Sequence, residues 1–226
     1  RVLFRSLTTR KNTLFILDEV ITGFRVAPGS FQSVCGVVPD MTTFAKILAG
    51  GLPGGCLTGR ADLLEALSFE NRYGKKMKHP GTYNGNPLSA AAGIAALKEV
   101  AKGTHNEHAN QMAALLRRKL NSVFADKNAR FVAYGDFSAT KILPDYDGLR
   151  PTSEDFIPLG GDHVKLDRKM DAALSHAFRC ALLLGGVDWM NWGGSTSSAH
   201  TEADIALTER AFADAIDLLR ADGFNV

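Results

Sequence analysis

A chain of 226 residues, 45% apolar and 22% charged, has ample material for a buried core, arranged as one large domain or two small ones. Its formal net charge of +2 is too small to argue for nucleic acid or another polyanion as partner. No apolar run approaches the ~20 residues of a membrane span. The three cysteines (Cys35, Cys56, Cys180) form no CxxC pair. They read as small buried hydrophobes of a cytoplasmic protein, with neither a metal site nor a disulfide framework expected.

The first six residues stand apart. Arg1-Val2-Leu3-Phe4-Arg5-Ser6 matches the translation of a widely used DNA-sequencing adaptor. Residues 1–6 are therefore expected to be a non-native scar, joined to a reading frame whose natural form is longer at its N-terminus. The same hexapeptide inside a longer genomic copy of the gene would overturn that expectation.

Leu14-Phe15-Ile16-Leu17 is an apolar run short enough for a strand buried on both faces, ending at Asp18-Glu19. Pro28-Gly29 punctuates, and Ser30 to Gly36 reads as a short helical or irregular link. Met41 to Ala45 predicts a second strand that delivers Lys46 to a loop of Gly50, Gly51, Pro53, Gly54 and Gly55. Cys56 to Thr58 predicts a third strand, and Ala61 to Leu67 a helical turn. A basic loop with Lys75, Lys76 and Lys78 follows, then Gly81-Thr82-Tyr83-Asn84-Gly85-Asn86-Pro87. There Asn86 caps a helix whose first turn holds Pro87 and whose buried face is Leu88, Ala92, Ala96 and Val100.

Composition changes after Gly103. Asn106 to Ala125 predicts a long amphipathic helix with Met112, Leu115, Leu116 and Val123 inside and Arg117, Arg118 and Lys119 outside. Arg130 to Tyr134 and Ser138 to Leu143 predict antiparallel strands joined at Gly135-Asp136. A polar loop of Pro144 to Asp162 separates them from a helix over Asp167 to Leu184. Val187 to Trp192 predicts a short strand, Gly193 to Ala199 a loop, and Thr201 to Asp204 a capping-box start to the last helix. Residues 7–105 thus read as part of an α/β domain and residues 106–226 as a smaller α+β domain.

Three residues stand where chemistry is possible. A carboxylate such as Asp18, at the carboxyl end of a buried strand, sits where open α/β sheets bind ligands, although a turn or helix-cap role suits it equally. Lys46, where an apolar strand meets close-packed glycines, is placed to be partly desolvated and so to act as a nucleophile; an ordinary surface lysine is the alternative. Thr82 and the backbone donors beside it, just before a helix, form a phosphate seat or a plain loop. An acid, a lysine and an anion seat are what a pyridoxal phosphate (PLP) enzyme needs, without excluding other lysine enzymes.

Three stretches in order, Leu17 to Arg25, Pro39 to Gly55 and Gly81 to Pro87, resemble the class III aminotransferases. Ala199-His200-Thr201-Glu202-Ala203-Asp204-Ile205 is similar to the glutamate-1-semialdehyde aminomutase branch of that family. The resemblance runs from about Leu14 onward. It implies the two-domain PLP fold of aspartate aminotransferase, fold type I, with its N-terminal half missing here. It implies that Lys46 holds PLP as a Schiff base and shuttles the substrate proton. It further implies that Asp18 pairs with the pyridinium nitrogen and that Val20 packs on the ring. Thr82 would bind the phosphate of the neighbouring subunit's cofactor, which makes a homodimer the active unit.

The implied activity is amino transfer between an amino donor and a keto acid or aldehyde. The family's N-terminal phosphate-binding turn and ring-stacking aromatic are not present, so the chain alone is expected to be inactive. The aminomutase branch carries a carboxylate where this chain reads Trp189-Met190-Asn191-Trp192-Gly193-Gly194, which favours an intermolecular transferase with an aromatic-lined pocket. Intramolecular aminomutase activity and a non-catalytic fragment of the fold are the alternatives. A nucleotide-binding loop at Gly50 to Gly55 fits worse, because the lysine precedes the glycines.

Overall fold

Alternating short apolar runs and glycine-rich turns build a first sheet from three strands. In a computed structural model that describes residues 2–226, α1 (Val2–Arg10) leads into β1 (Ile16–Asp18), α2 (Ser30–Cys35) and β2 (Met41–Ala45). A 3-10 turn (Lys46–Ala49), β3 (Gly55–Gly59), α3 (Ala61–Leu64), a second 3-10 turn (Glu65–Leu67) and α4 (Pro87–Val100) follow. The order in the sheet is β1-β2-β3, with β1 parallel and β3 antiparallel to β2. Period-2 patterning is clear only in β2, where Thr42 and Phe44 are buried and their neighbours half-buried. Every residue of β3 is exposed, as are Ile16 and Asp18 of β1. This corrects the expectation of strands buried on both faces: a three-stranded sheet has two edges and only one central strand to bury.

Gly36 and Gly50 adopt left-handed backbone (φ 65° and 61°) and close α2 and the first 3-10 turn. The Asn86 carboxamide oxygen accepts from the Leu88 and Ser89 amides at 3.0 and 3.1 Å, so α4 begins as its sequence predicts. Its inward face differs from the expected one. Leu88 is exposed, and the buried residue is Gly93, flanked by half-buried Ala92, Ala96 and Leu97.

The chain divides into two units, one ending at Asn106 and one starting at Glu107. α5 (Thr104–Asp126) spans that boundary. The second unit adds β4 (Val132–Tyr134), β5 (Ala139–Leu143), α6 (His163–Leu166), α7 (Ala172–Leu184), β6 (Gly193–Ser195) and α8 (Glu202–Ala221). Its sheet is antiparallel in the order β4-β5-β6. Helix α7 starts later than predicted because the Asp171 carboxylate caps it, accepting from the Leu174 amide at 2.7 Å.

The last strand is displaced from Val187–Trp192 to Gly193–Ser195, where Gly194 faces Thr140 of β5. Both tryptophans turn into the core instead. Trp192 stacks on Phe178 with centroids 4.5 Å apart, and Trp189 meets the edge of Phe212 at 5.1 Å. The cysteines differ from expectation as well: Cys35 is half-buried and Cys56 and Cys180 are exposed. Among the described residues, no helix is long and apolar enough to cross a membrane, and no His/Cys/Asp/Glu group is arranged to hold a metal.

Candidate active site

The parallel register puts Asp18, the last residue of β1, beside Thr43 of β2. The Thr43 hydroxyl donates to Asp18 Oδ1 at 3.0 Å, and the Val20 amide donates to the same oxygen at 3.0 Å. These two donors, first Val20 and then Thr43, hold the Asp18 carboxyl below the usual carboxylate range, with the Lys46 charge adding to the effect. Oδ2 has no hydrogen-bond partner among the described residues, and the side chain is exposed. Asp18 is thus an ionised carboxylate with one oxygen fixed and the other available to a cation.

Lys46 stands three residues beyond Thr43, at the point where β2 turns into the 3-10 turn. Its backbone is left-handed (φ 53°), a conformation that costs a β-carbon-bearing residue of order 1 kcal/mol and persists only where its surroundings impose it. The surroundings here are backbone. A β-carbon on Gly93 of α4 would lie 2.5 Å from the Leu48 carbonyl oxygen, and one on Gly50 would lie 2.5 Å from the Ala92 carbonyl oxygen. Glycine at both positions lets α4 and the lysine turn meet main chain to main chain. Lys46 itself is exposed, so the desolvation expected of it is not present in this chain.

Glu19, next to Asp18, does different work. It is wholly buried, and its two carboxylate oxygens accept from the Phe31 amide (2.7 Å), the Gln32 amide (3.0 Å) and the Thr22 hydroxyl (3.0 Å). It ties the start of α2 to the end of β1 and leaves Asp18 as the acid that faces out. Val20 is half-buried directly after this pair. Thr82 lies in the exposed turn before α4, and its hydroxyl makes no hydrogen bond among the described residues. Asp18, Thr43 and Lys46 are brought together; no contact joins Thr82 to them among the described residues.

The profile of the family described as Aminotransferase class-III matches residues 3–136. The chain belongs to that family. Among curated relatives, it is 35% identical over 215 residues to a glutamate-1-semialdehyde 2,1-aminomutase of Methanococcoides burtonii, covering 92% of this chain and 46% of that protein. The chain therefore spans about half the length of the curated relatives it matches. Among solved structures, an omega-transaminase from Sphaerobacter thermophilus superposes with a TM-score of 0.79 at 24% identity, over 96% of this chain and 47% of that one. A glutamate-1-semialdehyde aminomutase from Pseudomonas aeruginosa gives 0.76 at 24% identity, again over 96% of this chain and 47% of that one. These likenesses establish the fold: the chain is a mixed α/β portion of the class III aminotransferase architecture.

Two residues of this corner escaped sequence reading. Thr43 was legible in principle, since a parallel partner strand must place some residue of Met41–Ala45 opposite Asp18. Glu19 was hidden, because its partners are backbone amides that no sequence pattern announces. His200, Trp189 and Trp192 are engaged with other residues of the chain. His200 Nδ1 lies 3.0 Å from the Ser197 hydroxyl and accepts from the Ser197 amide at 3.1 Å. The Trp192 indole N–H donates to the Ser175 hydroxyl at 2.9 Å.

Proposed function

We propose that this chain is the lysine-bearing share of a PLP-dependent aminotransferase, which moves an amino group between an amino donor and a keto acid or aldehyde. The observation that carries this reading is the corner formed by Asp18, Thr43 and Lys46 at the ends of two paired parallel strands, in a chain of the class III family. The donor set fits the cofactor: an ionised acid with a free oxygen, an exposed primary amine nearby and an unengaged hydroxyl before a capped helix.

Bound PLP supplies an aldehyde for an amine and a protonated ring that accepts electrons. Lys46 would attach to that aldehyde through Nζ and, once displaced by substrate, hold on Nζ the proton taken from the substrate α-carbon. Asp18 would keep a positive charge on the ring nitrogen through Oδ2, while Thr43 and the Val20 amide fix its other oxygen. Val20 would pack on the ring face. Thr82 would bind the phosphate held by a neighbouring subunit, in a cytoplasmic homodimer. Residues 7–105 would belong to the large domain and 106–226 to the small one, and the chain alone would hold PLP weakly and turn over no substrate.

Borohydride reduction of the chain with PLP, followed by peptide mass spectrometry, tests this. The expected result is one dominant pyridoxyl adduct on Lys46, lost in Lys46→Ala and weakened in Asp18→Asn. Even labelling of Lys46 and the exposed Lys75, Lys76 and Lys78 would refute it. The aminomutase reading is favoured by the curated relatives, which are glutamate-1-semialdehyde 2,1-aminomutases. In a chain extended to their length, turnover that needs no added keto acid would select it.

A further inference from the structure

A guanidinium that enters a core without a carboxylate loses hydration that only charge pairing or hydrogen bonding restores. Arg117, expected on the outside of α5, is one. It lies four residues after Ala113 and three before Leu120, on the buried face of the helix, and is 7% exposed. Its Nη1 donates to the Phe137 and Ala139 carbonyls at 3.1 and 2.7 Å. Nε is buried without a partner, and Nη2 makes no hydrogen bond among the described residues. Among the described residues no carboxylate reaches Arg117 at ion-pair distance; burial pushes its pKa down, while Glu154 and Asp136 favour its charge from farther away.

Arg117 lines a cleft of about 380 Å³ that lies wholly within the second unit, between α5 and the segment 150–156. Ala114, Ala125, Pro151 and Phe156 supply apolar walls. Arg150 lines it too, with its guanidinium committed to the Phe124, Ala129 and Phe131 carbonyls, so it adds a fixed positive charge. Arg118, exposed on the same stretch of cleft, is paired with the Glu154 carboxylate.

We propose that this cleft binds a small organic anion, a carboxylate on a compact apolar body, between Arg117 and Arg118. Two observations converge on that chemistry. The Nε–Nη2 edge of Arg117 is the fork that binds carboxylates bidentately, and here its buried Nε and its Nη2 are both unsatisfied among the described residues. Independently, the protein's own Glu154 already places a carboxylate on Arg118, so the cleft holds an internal competitor of the same class as the ligand. The volume is in the range of small-molecule sites and exceeds what an inorganic ion would fill. The site shares no residue with the Lys46 corner, so it stands whether or not the proposed reaction does.

Calorimetric titration of the 226-residue chain with benzoate and with its neutral counterpart benzamide is the test. Because Arg117 also holds two carbonyls, the exposed Arg118 and Glu154 carry the mutational arm. Benzoate is expected to bind and benzamide not. Arg118→Gln should weaken benzoate about tenfold, and Glu154→Gln should tighten it severalfold by removing the competitor. Equal responses to the two compounds, no response to either, or benzoate affinity unchanged in both variants would overturn the proposal. Thermal unfolding of each variant without ligand shows that the fold is retained.

Discussion

The two units solve the same problem with different materials. In the second, Phe124, Phe131, Phe178 and Phe212 are fully buried and linked ring to ring, with Trp189 and Trp192 packed into the same cluster. In the first, the buried apolar side chains among the described residues are Val26, Val37, Phe44 and Ala49. What holds it is largely polar. Asp40 is buried between Arg5, Arg60 and the Phe15 amide, Glu19 ties down α2, and Asn106 donates to the Phe24 and Arg25 carbonyls at 2.8 Å each. A unit held by directional contacts can leave Asp18 and Lys46 exposed on a fixed backbone, whereas the second unit is held chiefly by packed rings, with a few polar groups such as Arg117 and Thr140 buried among them.

The strongest way to break this contrast is to remove one ring from each side. Phe212 touches Phe178, Trp189 and Phe124 at centroid distances of 5.5, 5.1 and 6.1 Å. Phe212→Ala should cost about 4 kcal/mol. Both tryptophans lie in the second unit, so their fluorescence reports that unit alone during urea unfolding. Phe44 has Phe24 at 5.0 Å as its ring neighbour. Phe44→Ala should fall at the low end of the range, about 3 kcal/mol, read by amide exchange across β2. A larger loss at Phe44 than at Phe212 would reverse the comparison.

Asp40 gives the next effect and a pH signature. Hydrogen bonds from the Arg5 guanidinium, then from the Phe15 amide, with Arg60 assisting, hold its carboxyl far below the usual range. Arg5 falls in the segment expected to be non-native, while the Arg60 and Phe15 contacts at 3.1 and 2.8 Å stand apart from it. A folded-state pKa below the unfolded value of about 3.9 means that the stabilisation is complete above that value and is lost as pH falls through and below it. Asp40→Asn should cost about 2 kcal/mol at neutral pH. The gap between variant and parent should close below about pH 4, as followed by exchange at β1 and β2. A gap independent of pH would assign Asp40 a packing role only.

The contrast also explains what was legible in the sequence. Strands ending at Asp18 and Ala45, the Asn86 and Thr201 caps and the α8 face of Ile205, Phe212, Ile216 and Leu219 are local patterns, and each is found. Burial was legible only where apolar periodicity decides it. It failed at Leu88, because α4 is seated by glycine and backbone, and at Arg117, because the guanidinium finds carbonyls that lie 20 and 22 residues away in the chain. The second sheet's last strand was misplaced because two tryptophans suggest a strand by propensity, while core packing takes their rings and leaves the ladder to Gly193–Ser195. Of the site, the residue types and order were readable, but Thr43 as the link between Asp18 and β2 required the register.

The smallest effect is the sharpest probe, because it applies one chemical change to both units. Asn86 and Thr201 each cap a helix, and losing such a cap costs about 1 kcal/mol. The Thr201 hydroxyl receives the Asp204 amide while the Asp204 carboxylate receives the Thr201 amide at 2.8 Å, and α8 buries six residues of its length. Its first turn is tied to the packed core through Ile205, so Thr201→Ala should lower the stability of the whole unit by the full amount. Helix α4 buries only Gly93, six residues beyond Pro87. Asn86→Ala should therefore fray its first turn locally, with faster amide exchange at Leu88 and Ser89 and little change in global unfolding. That fraying would loosen the Thr82 turn while the Gly93 contact still seats Lys46. Phosphate-bearing ligands should then lose affinity before Lys46 loses aldehyde labelling, and simultaneous loss of both would mean that the first turn and the middle of α4 are not energetically separate.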